Sequence, residues 1–490
     1  MVTDLRLQKI QISKHMAAIH IPLVVDLDGT LIYSDMLHES CISAVRSKPY
    51  SLFAIPFWLA KGKAYLKSRL SQLGEFEPAN LPYNTAVLEY LRNQKQSGRE
   101  LILCTASHLD IAQKIANHLG VFSKVIGSED INLAGVNKAA LLTAEFGEGG
   151  YDYIGNSHAD IAVWKNARSV YVANASFSVI RSIQSQKEIQ HTFPSNTANL
   201  KDYLRAIRIH QWLKNLLIFI PMLAAHQLES RQMWVQACLG FFAFSLCASA
   251  VYLVNDISDI EGDRQHPRKR LRPFASGLIG LDKGLILAFL LLITGLSIGF
   301  AVNNLFFVCL LAYLALTTAY TFGLKRLVLL DCILLAGLYT LRIIAGGIAV
   351  NVPISFWLLA FSVFIFLSLA FVKRYAEMEA QKQRGVLDLK GRGYRVQDMP
   401  LIEVLGLVSG YMAVLVLALY LNSDTVVALY ESPQIIWCAI PIMLLWISYV
   451  WLKTHRGEMH DDPIIFAVED RVSLLIVICI LSAFILAKFL

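Results

Sequence analysis

Residues 210–490 form a succession of apolar runs whose lengths approach that of a membrane-spanning helix. A helix needs roughly 20 mainly apolar residues to cross the hydrocarbon core of a bilayer. The chain of 490 residues is 56% hydrophobic and 17% charged, which is more apolar than a soluble protein of this length. We therefore predict an all-α membrane bundle of about nine transmembrane helices, at about 213–227, 233–254, 284–302, 304–322, 328–350, 355–372, 402–421, 434–452 and 472–489.

Lysine and arginine are unevenly distributed among the connections between these runs. The connections at 255–282, 323–327, 373–401 and 453–471 are basic, whereas the alternate connections are nearly free of both residues. Basic loops stay on the cytoplasmic side of a membrane, and the chain lacks an early apolar core typical of a secretory signal. We therefore expect a multi-pass protein of the inner (cytoplasmic) membrane, with its N-terminal domain and basic loops in the cytoplasm. Because the basic residues lie in these loops, the net charge of +7 does not imply that the protein binds nucleic acid.

The N-terminal part of the chain mixes charged and apolar residues as a globular domain does. We divide the chain into a soluble domain, a polar linker without periodicity and a membrane domain, at 1–183, 184–200 and 201–490. In the soluble domain, strand-like runs end in the polar segments Asp26–Thr30, Thr105–Ser107 and Gly155–Asp160. Strand, polar segment and helix in repetition are typical of a parallel α/β sheet, which binds ligands at the carboxyl ends of its strands.

These polar segments, together with Lys138 at the start of a helical stretch, resemble those of the haloacid dehalogenase superfamily over about residues 16–182. The resemblance implies a Rossmann-like phosphatase domain with a helical cap. Asp26 would attack phosphorus, and Asp28 would protonate the leaving oxygen and then activate water. Thr105 would hydrogen-bond the phosphoryl group and Lys138 would neutralise its charge.

The same resemblance implies a Mg²⁺ ion held by Asp26, Asp28 and Asp160. The chain departs from the family at Asn156, where an aspartate is more usual after the glycine. An amide offers a ligand oxygen but no charge, so weaker metal binding is expected. A degenerate domain without hydrolytic activity therefore stays open as an alternative.

An insert between Ile32 and Leu81 takes the place of the superfamily's helical cap. It contains aromatic residues beside cations, namely Phe53, Phe57, Trp58, Lys61, Lys63, Lys67 and Arg69. Aromatic residues followed by cations are typical of a helix that lies in the membrane interface. The hypothesis of a cap that leans on the bilayer stands beside that of a cap that packs on its own sheet.

The end of a long apolar run carries the acidic residues Asp256, Asp259 and Asp263. In a continuous helix they occupy positions i, i+3 and i+7, on one face. Three converging carboxylates repel one another unless a hard cation binds them, and Mg²⁺ that bridges carboxylates to substrate phosphates is the usual solution. A solvated acidic loop is the alternative. The basic run Arg268–Pro273 favours the metal and a polyphosphate.

Residues Asn255–Asp263, followed by Arg264, Lys269 and Arg272, resemble the first aspartate-rich motif of the UbiA prenyltransferase superfamily. The second motif departs from that family, because Asp331 stands alone where a carboxylate cluster is usual. Cations are gained instead, at Lys325, Arg326, Arg342, Lys373 and Arg374. Fixed cations suit a site that handles more phosphate groups than aromatic prenylation does.

The segments Arg208–Asn215 and Lys373–Glu377 resemble the branch of decaprenyl-phosphate phosphoribosyltransferases. This resemblance implies phosphoribosyl pyrophosphate as the donor and polyprenyl phosphate as the acceptor. The acidic trio would gather Mg²⁺ on the pyrophosphate, and Tyr320 and Asp331 would orient the ribose, with helix packing as the alternative for Tyr320. The expected substrate-binding residues are Asn255, Lys269, Arg272, Tyr320, Lys325, Asp331, Arg342, Lys373, Arg374 and Lys214.

The fusion of the two domains suggests a role for the soluble domain. The product of such a transfer keeps the 5-phosphate of the ribose. We expect the phosphatase to remove this phosphate from the lipid-linked product. Two alternatives remain open: a transferase that moves a prenyl group from a prenyl diphosphate to an aromatic or other acceptor, and a non-enzymatic membrane anchor for the phosphatase.

Overall fold

The computed structural model describes residues 21–489 except 75, 130, 228, 384, 386–391, 424–429, 460 and 461. The predicted start of the first strand, at Ile19 and His20, lies outside the described residues. The chain divides into two compact units. Unit one contains the chain up to Ile207 together with Leu253–Leu287, and unit two contains Arg208–Tyr252 and Ala288–Leu490. The boundaries 183 and 200 that we placed from composition therefore differ from those of the compact units.

Unit one is built on a six-stranded parallel sheet with the strand order β3-β2-β1-β4-β5-β6. The strands are β1 (Leu23–Val25), β2 (Leu101–His108), β3 (Lys124–Ser128), β4 (Asp152–Gly155), β5 (Val170–Ala173) and β6 (Ile189–Phe193). Side chains alternate between the two faces of a strand. In β1, Leu23 and Val25 join the core on one face of the sheet, and Val24 joins the core on the other. The predicted α/β class is confirmed.

The helices of unit one connect these strands and cover both faces of the sheet. They are α1 (Met36–Ser47), α2 (Ser51–Ala60), α3 (Lys63–Leu73), α4 (Thr85–Gln96), α5 (Leu109–Leu119), α6 (Val136–Phe146), α7 (Ile161–Asn166), α8 (Phe177–Gln184) and α9 (Leu200–Ala206). Strand β6 pairs with β5 and lies within the segment 184–200 that we interpreted as a linker. Its register, Tyr171 opposite His191, makes this polar segment part of the sheet.

Helices α1 to α3 form the cap that the insert predicts. Ile55 and Trp58 pack with Leu66 and Leu70 inside the cap. On the other side of α2, Phe53 and Phe57 are 75% and 73% exposed. The exposed aromatic rings and the neighbouring lysines agree with the interfacial hypothesis, which stays a prediction.

Unit two contains the membrane helices, except that the end of one helix and the start of the next lie in unit one. Eight helices of the described chain are long and apolar enough to cross a membrane. They include α11 (Arg231–Ser258), α13 (Leu281–Val302), α14 (Asn304–Phe322), α15 (Leu330–Val350), α16 (Phe356–Lys382), α17 (Met399–Leu421), α18 (Ala439–His455) and α20 (Arg471–Phe489). The short helices α10 (Ile220–Ala224), α12 (Ile260–Gln265) and α19 (Pro463–Glu469) lie between them in the chain.

The segment 213–227, predicted as the first of nine spans, differs from that expectation. It lies in a 3-10 helix, Ile209–Phe219, followed by the short α10. Arg208 precedes it with a positive φ of 55°, and its buried residues include Lys214 and Asn215. Buried polar side chains need partners from neighbouring elements, and hydropathy does not report such partners.

This 3-10 segment packs closely on α15 at a glycine. A Cβ atom added at Gly346 would overlap the carbonyl oxygen of Ile218. The neighbour is backbone and has little room to move, so a glycine at this position permits the contact. Gly337 lies in the same helix, and a Cβ added there would meet no atom within 4 Å.

We predict that Gly346→Ala lowers the apparent melting temperature of the purified protein in detergent, because overpacking costs roughly 1–3 kcal/mol. The matched control, Gly337→Ala, should not lower it, since the added methyl group has open space. An equal loss in both variants would contradict the packing argument.

Candidate functional site

The polar residues predicted for the phosphatase meet at the carboxyl ends of neighbouring strands. Strand β1 lies between β2 and β4 in the sheet. Asp26 and Asp28 follow β1, Thr105 lies in the second half of β2, and Asp160 ends a 3-10 turn after β4. Lys138, in the first turn of α6, completes the group. The strand order therefore brings together all five residues.

Asp26 is the centre of a buried chain of hydrogen bonds. Lys138 Nζ donates to Asp26 Oδ1 at 2.6 Å and to the hydroxyl of Tyr153 at 2.9 Å. Tyr153 donates in turn to Asp160 Oδ1 at 2.7 Å. Sequence reasoning missed Tyr153, which lies in the apolar run of β4 and carries no signal besides its hydroxyl group.

These charges shift one another's ionisation. Burial raises the pKa of Asp26 to about 6, although Lys138 opposes the shift. Burial acts to lower the pKa of Lys138, but the carboxylates of Asp26 and Asp160 outweigh it and raise this pKa above its ordinary value. Lys138 therefore stays charged and can stabilise a phosphoryl group bound at Asp26.

Asp28 is held by groups from the cap and from β2. The backbone N–H of Met36 donates to Asp28 Oδ1 at 2.8 Å, and Ser107 Oγ donates to Asp28 Oδ2 at 2.7 Å. Burial raises the pKa of Asp28 to about 7, with further contributions from Asp35 and Asp26. A carboxyl group with a pKa near neutrality suits general acid and base catalysis. Sequence reasoning missed Ser107 in this role.

The cap contributes a cation to the same place. Lys67 in α3 donates to the carbonyl oxygen of Ala106 at 2.6 Å and to Asn132 Oδ1 at 2.8 Å. Burial lowers the pKa of Lys67, and the nearby charge of Asp28 opposes the shift. A small cavity lined by Lys67, Ser107 and apolar cap residues lies beside Asp28.

Asp160, which we predicted as a metal ligand, accepts several hydrogen bonds in the structure. Besides the bond from Tyr153, its Oδ2 accepts from the N–H groups of Asn156 at 3.1 Å and Ser157 at 2.9 Å. Asp160 thus holds the loop that carries Asn156. The side-chain amide of Asn156 lies against Gly29, where an added Cβ atom would overlap it. Within the described part of the chain, no three His, Cys, Asp or Glu side chains form a group able to hold a metal ion. The assignment of Asp26, Asp28 and Asp160 as ligands of Mg²⁺ stays a prediction.

The acidic segment of the membrane domain, by which we mean residues 255–277, begins with a break between two helices. Helix α11 ends at Ser258, Asp259 occupies the N-cap position of the next helix, and α12 begins at Ile260. Asp256 and Asp263 are buried, whereas Asp259 is exposed. The backbone departs from helical dihedral angles at Asp259 (φ −94°, ψ 11°). Of the three carboxylates that we expected to converge, only Asp256 and Asp263 are buried.

Arg272 brings the two buried carboxylates together. Its Nη1 donates to Asp256 Oδ1 at 3.1 Å and to Asp263 Oδ2 at 2.6 Å. Burial raises the pKa of Asp263, although Arg272 opposes the shift. Asn255 is half-buried beside Asp256, and Lys269 is exposed in the 3-10 turn Lys269–Leu271. Binding of Mg²⁺ by these carboxylates stays a prediction.

In unit two, the predicted cation Lys214 has an acidic partner that we did not predict. Lys214 forms a buried ion pair with Asp462, which caps α19. Burial acts to raise the pKa of Asp462, but Lys214 and Lys373 outweigh it and hold this pKa below its ordinary value. Asp462 follows a basic connection in the sequence, and no motif marked it.

Arg342 lies inside an apolar stretch, as the sequence indicates, and the structure supplies its partners. Its guanidinium donates to Asn215 Oδ1 at 2.8 Å, to the carbonyl oxygen of Leu338 at 2.6 Å and to the hydroxyl of Tyr313 at 3.3 Å. It also lies 4.9 Å from the centre of the Tyr313 ring. These contacts brace the 3-10 segment against α15 and α14.

Asp331 and Arg374 form an ion pair with both side chains fully buried. Tyr394 donates to Asp331 Oδ1 at 2.6 Å, and Arg374 also pairs with Glu377. Arg392 reaches the same cluster and donates to the hydroxyl of Tyr320 at 3.0 Å. Three predicted substrate-binding residues, Tyr320, Asp331 and Arg374, thus belong to one network that joins α14, α15 and α16.

Of the predicted cations of unit two, Lys325 and Lys373 are half-buried, whereas Lys214, Arg342 and Arg374 are buried and paired. Lys325 lies in the 3-10 turn Leu324–Arg326 after α14. Half-buried lysines can bind an incoming anion without first breaking a buried ion pair. Lys325 and Lys373 are therefore better placed for phosphate contacts than the other three.

Models of known protein families match both parts of the chain. The model of the UbiA prenyltransferase family matches residues 216–468, which is more than half of the chain, and that of haloacid dehalogenase-like hydrolases matches residues 23–165. The chain belongs to the UbiA prenyltransferase family. It is an integral multi-pass membrane protein with a haloacid dehalogenase-like domain at its N-terminus.

Three relatives illustrate what this chain is similar to. An uncharacterized protein, y4nM of Sinorhizobium fredii, is 37% identical over 95% of this chain and 91% of its own. Nodulation protein NoeC of Azorhizobium caulinodans is 36% identical over 57% of this chain and 90% of its own. Decaprenyl-phosphate phosphoribosyltransferase of Mycobacterium tuberculosis is 38% identical over 37% of this chain and 62% of its own.

We predict that Tyr153→Phe lowers the rate of p-nitrophenyl phosphate hydrolysis by the full-length protein about tenfold, since it leaves buried polar groups of Lys138 and Asp160 without their shared hydroxyl. Tyr151→Phe is the matched control, because the Tyr151 hydroxyl bonds the carbonyl oxygen of Val163 instead. Equal rates for the two variants would show that the hydrogen-bond chain has no part in hydrolysis.

Proposed function

We propose that the membrane domain transfers phosphoribose from phosphoribosyl pyrophosphate to a polyprenyl phosphate, and that the soluble domain removes the 5-phosphate of the lipid-linked product. One observation carries this proposal. At the second motif, the carboxylate Asp331 is fully buried and neutralised by Arg374, whereas Asp256 and Asp263 share the partly exposed Arg272 and are the pair that we assign to the pyrophosphate.

The charge of the proposed substrates supports this assignment. Phosphoribosyl pyrophosphate carries a 5-phosphate besides its pyrophosphate, and the acceptor is itself a phosphate. The half-buried Lys325 and Lys373 offer cations to these additional anions, and fixed cations are worth most where water is scarce. The partial similarity to decaprenyl-phosphate phosphoribosyltransferases points in the same direction.

In the transfer, the lipid phosphate oxygen attacks the anomeric carbon of ribose as the bond to pyrophosphate breaks. The nucleophile is already anionic, so no side-chain base is needed. Asp256 and Asp263 would hold Mg²⁺, which when bound would neutralise charge on the leaving group. Arg272 lies between both carboxylates and adds a bidentate donor for phosphate oxygens. Catalysis then rests on positioning and charge stabilisation.

In the hydrolysis, Asp26 attacks phosphorus and forms an aspartyl-phosphate. Asp28 protonates the departing 5-oxygen and then takes a proton from the attacking water, for which a pKa of about 7 is suitable. Lys138 neutralises the phosphoryl oxygens. Asp26 and Asn156 would hold Mg²⁺, which supplies further charge neutralisation when bound. We place both sites on the cytoplasmic side of the inner membrane, where the basic loops of the sequence belong.

The second candidate function is prenyl transfer from a prenyl diphosphate to an aromatic or other acceptor. The observation that favours it is membership of the UbiA prenyltransferase family. Such a reaction requires a single diphosphate, and it leaves the phosphatase domain without an evident substrate.

Labelled donors distinguish the two functions. Membranes that contain the protein are supplied with Mg²⁺ and either labelled phosphoribosyl pyrophosphate or a labelled prenyl diphosphate. We expect label from phosphoribosyl pyrophosphate to enter the lipid fraction, and Asp256→Ala to reduce this incorporation at least 100-fold because the leaving group loses its metal site. Incorporation of the prenyl label alone would contradict phosphoribosyl transfer.

The Asp26→Asn variant tests the proposed order of the two reactions. Loss of the nucleophile should leave transfer intact and cause the 5-phosphorylated lipid to accumulate, as measured by mass spectrometry of the lipid product. Wild-type protein should release inorganic phosphate and yield the dephosphorylated lipid. If Asp26→Asn makes the same dephosphorylated product as wild type, the phosphatase does not act on it.

A further inference from the structure

Helix α1 carries residues that contact two functional regions of unit one. At its start, the backbone N–H of Met36 donates to Asp28 Oδ1 at 2.8 Å. One turn later, Glu39 accepts two hydrogen bonds from Arg264, at 2.6 and 3.1 Å. Arg264 directly follows Asp263 in the acidic segment. One helix therefore contacts the general acid of the phosphatase and the segment that carries the two buried transferase carboxylates.

The Glu39–Arg264 pair is buried, with side chains 6% and 5% exposed. A bidentate guanidinium–carboxylate pair fixes orientation as well as distance. Removal of one partner from such a pair leaves a charge buried without compensation. The interaction is therefore specific for this arrangement of α1 and α12, and it is sensitive to the loss of either charge.

Two further contacts hold the acidic segment on the same domain. Arg46 in the last turn of α1 pairs with Glu261, with the side chains 49% and 23% exposed. Near the other end of the segment, Gly277 has a φ of 71°, and a Cβ added there would lie 2.6 Å from Tyr33 Cβ. Tyr33 belongs to the turn that follows Asp28. Contacts therefore exist on both sides of the segment, before and after Arg272.

We propose that Glu39 and Arg264 are positioning residues for the transferase, because they dock the acidic segment on the phosphatase cap and so hold Asp256 and Asp263 in place. The phosphatase domain then has a second role that is independent of its own hydrolytic chemistry: it is a structural part of the pyrophosphate-binding site. This inference rests on the proposed function. It gives a structural reason for the fusion of the two domains, in addition to their proposed consecutive action on the same lipid.

A charge-swap cycle in the full-length protein tests the docking. The variants are Glu39→Gln, Arg264→Gln and the double swap Glu39→Arg with Arg264→Glu. Each single variant should raise the rate of amide hydrogen exchange in Ile260–Gln265 at least tenfold and raise the KM for phosphoribosyl pyrophosphate at least tenfold. The double swap should restore both values to within threefold of wild type.

A matched control separates docking from a general loss of surface charge. Lys124 and Glu145 form an ion pair in the same domain, with the side chains 48% and 30% exposed. Glu145→Gln should change neither the exchange of Ile260–Gln265 nor the KM. The inference is overturned if the single variants behave like this control, or if the double swap is as impaired as the single variants.

A pair of glycine variants provides an independent test that leaves every charge in place. Gly277→Ala introduces a Cβ beside Tyr33 and should accelerate exchange in the acidic segment, whereas a Cβ at Gly262 meets no atom within 4 Å and Gly262→Ala should not. Equal exchange in the two variants would contradict docking at this end of the segment.

The two readouts distinguish failure of this inference from failure of the proposed function. If wild type transfers no phosphoribose, the proposed function fails, and hydrogen exchange still decides whether Glu39 and Arg264 dock the segment. If transfer occurs but the cycle leaves exchange and KM unchanged, the inference fails and the proposed function stands.

Discussion

Buried carboxylates that must be matched by cations are the constraint on which both units depend. An isolated charge transferred from water into a protein interior is costly, and one partner removed from a buried pair is strongly destabilising. The chain meets this constraint with Lys138 at Asp26, Arg272 at Asp256 and Asp263, Lys214 at Asp462 and Arg374 at Asp331. The pairs of Lys138, Lys214 and Arg374 join segments that lie apart in the sequence, so electrostatic compensation also determines tertiary contacts.

These pairs differ in what they leave available for chemistry. The Asp331–Arg374 pair is fully buried and closed by Tyr394, so it stabilises the packing of membrane helices. Arg272 is 28% exposed at its side chain while it contacts Asp256 and Asp263, so water or a ligand can reach it. The first acidic motif therefore combines two carboxylates with a partly exposed cation. The carboxylate of the second motif, Asp331, is fully buried in an ion pair.

The same compensation of charge joins α1 of the phosphatase domain to the acidic segment. Glu39 and Arg264 neutralise each other in a buried contact, and α1 also supplies an N–H group to Asp28. The compact unit that contains the phosphatase sheet accordingly includes Leu253–Leu287. A boundary drawn by hydropathy separates these residues, because hydropathy reports the environment of each segment and not its partner.

The amino-acid sequence by itself determined the class of each domain, since periodicity and apolar length depend on neighbours in the chain. It placed Asp26, Asp28 and Thr105 at strand ends, which a parallel sheet brings together, and Lys138 at the start of a helix. Tertiary structure decided the rest: that Tyr153 links Lys138 to Asp160, that β6 occupies the supposed linker, that the helix breaks at Asp259, and that Asp331 is paired with Arg374. These outcomes depend on which distant side chains compensate a buried charge or complete a hydrogen bond, and such partners are set by packing in three dimensions.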